Sequence, residues 1–308
     1  MRSIVTGGAG FIGSHIVDRL VSDGHEVVVI DDESANTHEE FYNNKKATYI
    51  LESVQNFYDI KDHFKDTDYV FHLAAESRIQ PCVKNPIMAY MANAMGTCSV
   101  LQACKEAGVK RLVYSSTSAS YGLENKPPLK EDMVPDCLNP YSTSKVAGEE
   151  LCKMFYRLYG VETVILRYFN VYGDRQPTQG QYAPVIGLFQ KQQREGMPIT
   201  VVGDGQQTRD FTNVLDVVEA NIAASKTENK KALGQIFNIG AGKSISIMDL
   251  VEMIRDEDGI YINIPERPGE ARNSRADNSK AKEILGWEPK VNLEEWINES
   301  ADTVSDAS

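Results

Sequence analysis

The stretch TGGAGFIGSH, Thr6–His15, decides how the rest of the chain is read. It follows the apolar pair Ile4 and Val5 and runs into IVDRLV, residues 16–21, so its glycines crowd a passage from strand to helix. Gly8, Gly10 and Gly13 match GxGxxG, while Gly7, Gly10 and Gly13 match GxxGxxG. The physics is shared by both frames. Glycine permits a tight turn, lets backbone N–H groups approach a pyrophosphate, and allows a helix to pack closely on a sheet. The first turn of the helix then offers unsatisfied N–H groups and a positive dipole end.

A glycine-rich turn alone is weak evidence. Here a second apolar run, VVVI, ends in Asp31 and Asp32, near the expected distance of about 20 residues from the glycines. A carboxylate at that position accepts hydrogen bonds from the adenosine ribose hydroxyls and repels a 2′-phosphate, so the expected cofactor is NAD, not NADP.

Working outward, strand-like SIVT, EVVVID, YVFHLAA, RLVYSSTS and TVILRYFN alternate with helix-like segments such as FIGSHIVDRLVSDG, SVQNFYDIKDHFK and YSTSKVAGEELCKMFYRLYG. This alternation predicts an α/β fold, a doubly wound parallel sheet (Rossmann) with a smaller, interleaved C-terminal substrate lobe. Residues 1–170 form the expected dinucleotide-binding domain and residues 171–308 the lobe. The segments FTNVLDVVEAN and IFNIGAG are expected to return to the main sheet at about 208–242.

Composition excludes several function classes. The 308 residues carry a net charge of −12, which repels nucleic acid and anionic lipid at long range, so neither is an expected partner. Five scattered cysteines, Cys82, Cys98, Cys104, Cys137 and Cys152, have neither disulfide-framework nor zinc spacing, and read as reduced thiols with no metal site. The chain opens without a secretory signal pattern, and no apolar run approaches the roughly 20 residues of a membrane span. A cytoplasmic protein is the expectation.

The second informative stretch is NPYSTSKVAGEE, which sets Tyr141 and Lys145 four apart at a helix start after Pro140. Four residues place both side chains on one face. A neighbouring ammonium and a nicotinamide cation both favour phenolate, and a phenolate can take a hydroxyl proton as hydride leaves the same carbon. YSSTSASYG lies upstream at the carboxyl end of a predicted parallel strand, where doubly wound folds bind ligands, and its Thr117 can bond both substrate hydroxyl and phenol.

Together TGGAGFIG, the DD pair, FHLAA, NAMGT, SSTSASYG, PYSTSK, LRYFNVYG, GDGQQTRDF and RPGEARNSRADNSKA resemble the extended short-chain dehydrogenase/reductase family. The resemblance is to its nucleotide-sugar branch and most to the UDP-glucose and UDP-N-acetylglucosamine 4-epimerases. It implies Thr117, Tyr141 and Lys145 as the catalytic set, working on NAD. Cofactor contacts would come from Gly7, Gly10, Phe11, Ile12 and Gly13, from Asp31 and Asp32, and from Ser53 and Val54. Leu73, Ala74, Ala75, Asn93, Ser115 and Tyr168 complete that wall, with Lys145 gripping the nicotinamide ribose. Asn170, Arg209 and Arg267 would hold the diphosphate of a UDP-sugar, Glu270 its ribose, and Ser274 would leave room for an N-acetyl group. A homodimer through helices near 93–107 and 141–158 is a further implication, although packing inside one monomer explains the same apolar faces.

The chain departs from the pattern in two places. LESV stands where relatives carry an adenine-side aspartate, so Glu52 or Ser53 takes that role. Ser118 and Ala119 stand where dehydratases carry an Asp-Glu pair, which favours epimerisation, whereas AAESR resembles a dehydratase segment. The alternatives are a UDP-glucuronate epimerase, a nucleotide-sugar dehydratase or decarboxylase, or a silent NAD-binding regulator.

Overall fold

In the computed structural model, which describes residues 1–35, 41–178, 184–256, 259–266 and 272–305, seven parallel strands form the central sheet. Six come from residues 1–170: β1 (Arg2–Thr6), β2 (Glu26–Asp31), β3 (Thr48–Leu51), β4 (Tyr69–His72), β5 (Arg111–Thr117) and β6 (Thr163–Tyr168). The seventh, Gln235–Ile239, pairs with β6 at the edge. The spatial order is β3, β2, β1, β4, β5, β6 and then the seventh strand, so the direction of winding reverses between β1 and β4. That reversal opens a crevice at the carboxyl ends of these two strands.

Both faces of the sheet are apolar, as a parallel sheet covered by helices on both sides requires. Val5, Val29, Phe71, Val113 and Leu166 face one side, where they meet α1 (Phe11–Ser22). Ile4, Ile30, Val70, Leu112 and Ile165 face the other, under α2 (Gly96–Ala107) and α3 (Pro140–Tyr159). Period-two alternation in the strands thus feeds two separate cores.

Of the two segments expected back in the main sheet, IFNIGAG supplies the edge strand and FTNVLDVVEAN does not. In the latter only Thr212–Asn213 is extended, pairing with Val171–Tyr172 outside the main sheet. The Asn213 side chain accepts from the Leu215 N–H and starts α4 (Val214–Lys226), which packs beside α1. Its valines fall at helical spacing, and packing of that face overrides their β preference. SVQNFYDIKDHFK is helical only from Phe57 to Phe64, anchored by the buried Ile60 and Phe64.

The lobe has its own core, including Tyr172, Ile186, Phe189, Val201, Leu250 and Ile297. It is tied to the sheet through Asp210, whose carboxylate accepts from the N–H groups of Ala241 (2.7 Å), Gly242 (3.0 Å) and Ala276 (2.8 Å). Burial pushes that carboxyl up to about 6, against the pull of these three hydrogen bonds.

Candidate active site

A cavity of about 620 Å³ occupies the crevice at the ends of β1 and β4. The glycine loop forms one wall. Gly7 has φ +72°, and a Cβ there would lie 2.6 Å from the Ala74 nitrogen; a Cβ on Gly13 would lie 2.1 Å from the Gly7 carbonyl oxygen. Glycine is therefore required at both positions, by the backbone just after β4 in one case and by the loop itself in the other. α1 begins at Gly10 with no side-chain cap, so its first amides are left for a ligand.

Asp31 closes this wall and also holds it. Its Oδ2 accepts from the Ala9 N–H at 2.9 Å and its Oδ1 from the Glu33 N–H at 2.9 Å. Burial raises the Asp31 carboxyl above the usual range, the two amides opposing it. A further lone pair on each oxygen remains available to a sugar hydroxyl. Ser53 and Glu52 also line the cavity, and the buried Ser53 hydroxyl has no hydrogen-bond partner among the described residues.

At the other end stand the residues of α3 and β5. Asn139 caps α3 in a reciprocal box with Ser142, with Pro140 in the first turn, which puts Tyr141 beside the positive end of the helix dipole. The Thr117 hydroxyl, at the end of β5, is near enough to the Tyr141 phenol to pull its pKa down, while its Oγ1 accepts from the Ala119 N–H at 3.1 Å. Burial is the larger influence, and with Glu76 and Cys82 it holds the phenol above its ordinary value. Lys145 is not among the groups that shift the phenol, and burial sets the direction; the sequence expectation counts on a nicotinamide cation as well.

Lys145 is itself desolvated. Burial lowers its ammonium to about 8, with Cys152 and Glu149 opposing. Its Nζ lies 4.4 Å from the centre of the Tyr114 ring, and among the described residues no protein group hydrogen-bonds it. An uncapped helix start, an orphan serine hydroxyl and an unbonded ammonium along one cavity fit a ligand that brings acceptor oxygens to all three. A dinucleotide meets that donor set.

The placements of the remaining residues follow. Phe11, Ile12, Asp32, Val54, Leu73, Ala74, Ala75, Ser115, Tyr168 and Asn170 line the cavity. Ser115 Oγ and the Tyr168 hydroxyl lie 2.9 Å apart, and Asn221 donates to Tyr168 at 2.8 Å. Asn93 differs from its expected place, being fully buried behind the wall. Its Oδ1 accepts from the Glu76 N–H (2.8 Å), and its Nδ2 donates to the Glu76 carbonyl (3.0 Å) and to Ser144 Oγ (2.9 Å). Its amide therefore fixes the loop after β4 to α3, and reaches the ligand through them. Arg209 and Ser274 are adjacent, the Ser274 N–H donating to the Thr208 carbonyl at 3.1 Å, but neither is on the cavity wall. Arg209 donates to the Thr208 and Arg272 carbonyls. Arg267 and Glu270 lie outside the described residues.

Sequence reading missed Glu76, Ser116, Tyr172, Ile186 and Phe211, all on the wall. Ser116 and Glu76 sit inside stretches already singled out, YSSTSASYG and AAESR, so strand-end position was the available signal. It also missed His72, which bridges Thr6 (2.7 Å) and Thr97 (3.0 Å) beneath the glycine loop. Burial, with Lys145 adding, lowers His72 to about 3, so it stays neutral. Among the described residues no group of three or more His, Cys, Asp or Glu could hold a metal ion, and no helix is long and apolar enough to cross a membrane.

Known proteins share this arrangement over nearly the whole chain. Residues 4–300 match the family model of GDP-mannose 4,6 dehydratase. The UDP-glucose 4-epimerase of Mycolicibacterium smegmatis is 37% identical over 309 residues, covering 96% of each chain. The crystal structure of UDP-glucose 4-epimerase with UDP-glucose from Thermotoga maritima has a TM-score of 0.92 at 34% identity, covering 100% of this chain and 99% of that one. The UDP-glucose 4-epimerase of Thermus thermophilus in complex with NAD has a TM-score of 0.86 at 31% identity, covering 96% of each. The chain belongs to the GDP-mannose 4,6 dehydratase family, within the extended short-chain dehydrogenases/reductases.

Proposed function

We propose that this chain is an NAD-dependent 4-epimerase of UDP-hexoses, interconverting UDP-glucose and UDP-galactose and, by its likeness to a solved UDP-N-acetylglucosamine 4-epimerase, the N-acetylated pair as well. The observation that carries the reading is convergence. Tyr141 and Lys145 line the same cavity as the uncapped start of α1 and Asp31, and Thr117 ends β5 near the Tyr141 phenol. In this reading residues 1–170 hold the dinucleotide and residues 171–308 the UDP-sugar.

NAD, when bound, supplies the hydride acceptor and donor at the sugar C4 and a positive charge beside the phenol. Tyr141 removes the proton from the sugar O4 as the C4 hydride departs, leaving a 4-keto sugar. Thr117 holds O4 in line with the phenol, and Lys145 counters the phenolate charge. Tyr141 would return its proton to O4 once the ketone is reduced on its opposite face, which inverts C4. Such a turn requires the sugar ring to be loosely held and its diphosphate firmly held. Asn170, Arg209 and Arg267, with Glu270 at the ribose, are the residues assigned to that grip, since bidentate arginine suits phosphate.

The Glu76 carboxylate near Tyr141 favours a second reading, 4,6-dehydration, because it places an acid where Ser118 and Ala119 offer none. NMR of products from a panel of UDP-sugars decides between them. C4 epimers of UDP-glucose or UDP-N-acetylglucosamine support the proposal; a 4-keto-6-deoxy product or carbon dioxide release refutes it. A protein that binds NAD yet leaves every sugar unchanged would be the silent regulator.

The partner assigned is a second copy of the chain. Ile87, Met91 and Met95 lead into α2, and Met154 and Leu158 on α3 are exposed, an apolar surface that a two-fold pairing of these helices would cover. Native mass spectrometry should give twice the 34.3 kDa chain mass.

A further inference from the structure

Behind the cavity wall lies a pair of fully buried charges with no part in the chemistry above. Glu149, on α3, accepts from Arg167 of β6 at both oxygens: Nε to Oε1 at 2.8 Å and Nη2 to Oε2 at 2.7 Å. Each side chain is 1% exposed. Ser116 of β5, which lines the cavity one residue before Thr117, donates to Glu149 Oε1 at 2.5 Å. One carboxylate thus fastens α3 to two neighbouring strands.

Burying a charge pair is expensive, and an apolar pair of similar volume holds a fold equally well or better. The position of this pair gives it another use. Tyr141, Lys145 and Glu149 recur every four residues, so they follow one face of α3, with Glu149 the next residue below Lys145. The pair is also oriented: Glu149 bears on Lys145, whereas the Arg167 guanidinium lies 4.7 Å from the Tyr121 ring centre. The groups bearing on Lys145 are Cys152 and Glu149 on its own helix, Tyr114 of β5 and His72 of β4, with Tyr141 one turn away on the same helix. Tyr141, Tyr114 and Cys152 are held in their neutral forms by burial, and His72 is an uncharged imidazole. Glu149 is the anion among them.

We propose that Glu149 is a positioning residue for the reaction: held by Arg167 and Ser116, it is the counter-charge of Lys145 and sets the spacing between Tyr141 on α3 and Thr117 on β5. This rests on the Tyr141 and Lys145 chemistry assigned above. Without Glu149, a desolvated ammonium loses its stabilising field, and the alkaline limit of activity falls because neutral Lys145 no longer supports the phenolate.

The test compares wild type with Glu149→Gln, Glu149→Asp and the double variant Glu149→Gln, Arg167→Met. The readouts are the pH profile of kcat and the NMR titration of lysine labelled with carbon-13 at Cε, with Lys145 assigned by Lys145→Met. Wild-type Lys145 should titrate near 8. In Glu149→Gln and in the double variant its midpoint and the alkaline limb of kcat should both fall by about one pH unit. Glu149→Asp, which keeps the charge, should restore both toward wild type. The double variant leaves no unpaired guanidinium buried at this pair, so it reports even where the single change prevents folding. An unmoved midpoint in the double variant, with only the unfolding temperature altered, overturns the proposal. The NMR titration needs no turnover, so failure of the epimerase reading is read separately, in wild-type product formation.

Discussion

Lys145→Met should stabilise the fold while abolishing turnover. The wild-type ammonium titrates near 8 in the folded chain against an ordinary 10.5, a gap set mainly by burial. At about 1.36 kcal/mol per pH unit, folding therefore opposes the charged side chain by about 3 kcal/mol below pH 8. The sign follows from proton binding. Between pH 8 and 10.5 the unfolded chain binds more protons than the folded one, so the wild type gains stability as pH rises through this window. Methionine has no such term and is close in volume. The cation–π contact with Tyr114 is already part of that net value, and Glu149 stays paired with Arg167. Urea unfolding of the dinucleotide-free protein should show the variant more stable by about 3 kcal/mol at pH 7, with the difference falling to about 1 kcal/mol at pH 10. A variant less stable at pH 7, or an advantage unchanged at pH 10, refutes the claim that burial holds this ammonium against its preference.

Other expected outcomes concern the two ends of the cavity. Tyr141→Phe should lower kcat by about 10²–10⁴-fold with little change in KM or in dinucleotide affinity, checked by steady-state assay and calorimetry. Gly13→Ala places a Cβ 2.1 Å from the Gly7 carbonyl, so stability should fall by about 2 kcal/mol and dinucleotide binding should weaken in parallel, read by thermal unfolding with and without NAD. Asp31→Ala leaves the Ala9 and Glu33 amides without their carboxylate, and NAD affinity should drop by about tenfold or more while NADP loses less.

The parts of this molecule that were legible in its sequence are those where spacing along the chain equals spacing in space. The glycine loop, the Asp31 pair and the Tyr141–Lys145 turn each span one local element, so their geometry follows from residue counting. Asn93 shows the limit. Its identity was visible, but its direction depends on Glu76, 17 residues away, and Ser144, 51 away. The same holds for Arg167, which as a charged residue in a strand reads as an edge position. It is among the most buried side chains because sheet order places β6 between β5 and the last strand, with Glu149 overhead. FTNVLDVVEAN was misread because its valines suit a strand, while the cap at Asn213 and the face buried beside α1 are decided by tertiary packing.

The construction of α3 explains why the reactive groups can be both buried and exact in position. Its buried residues are Ser142, Ser144, Lys145, Gly148, Glu149, Cys152 and Phe155, so the half nearest the cavity presents polar groups to the sheet and only the far half is apolar. Apolar contacts tolerate sliding because they are non-directional, whereas hydrogen bonds to Asn93, Ser116 and Arg167 do not. Gly148 permits the approach: a Cβ there would lie 2.1 Å from the Tyr114 hydroxyl oxygen, so any side chain would force α3 away from β5. Since Thr117 ends β5 and Tyr141 begins α3, that separation sets the distance between the two hydroxyls. The apolar end of the helix supplies binding energy, and the polar end, costly to bury, supplies the register on which proton transfer depends.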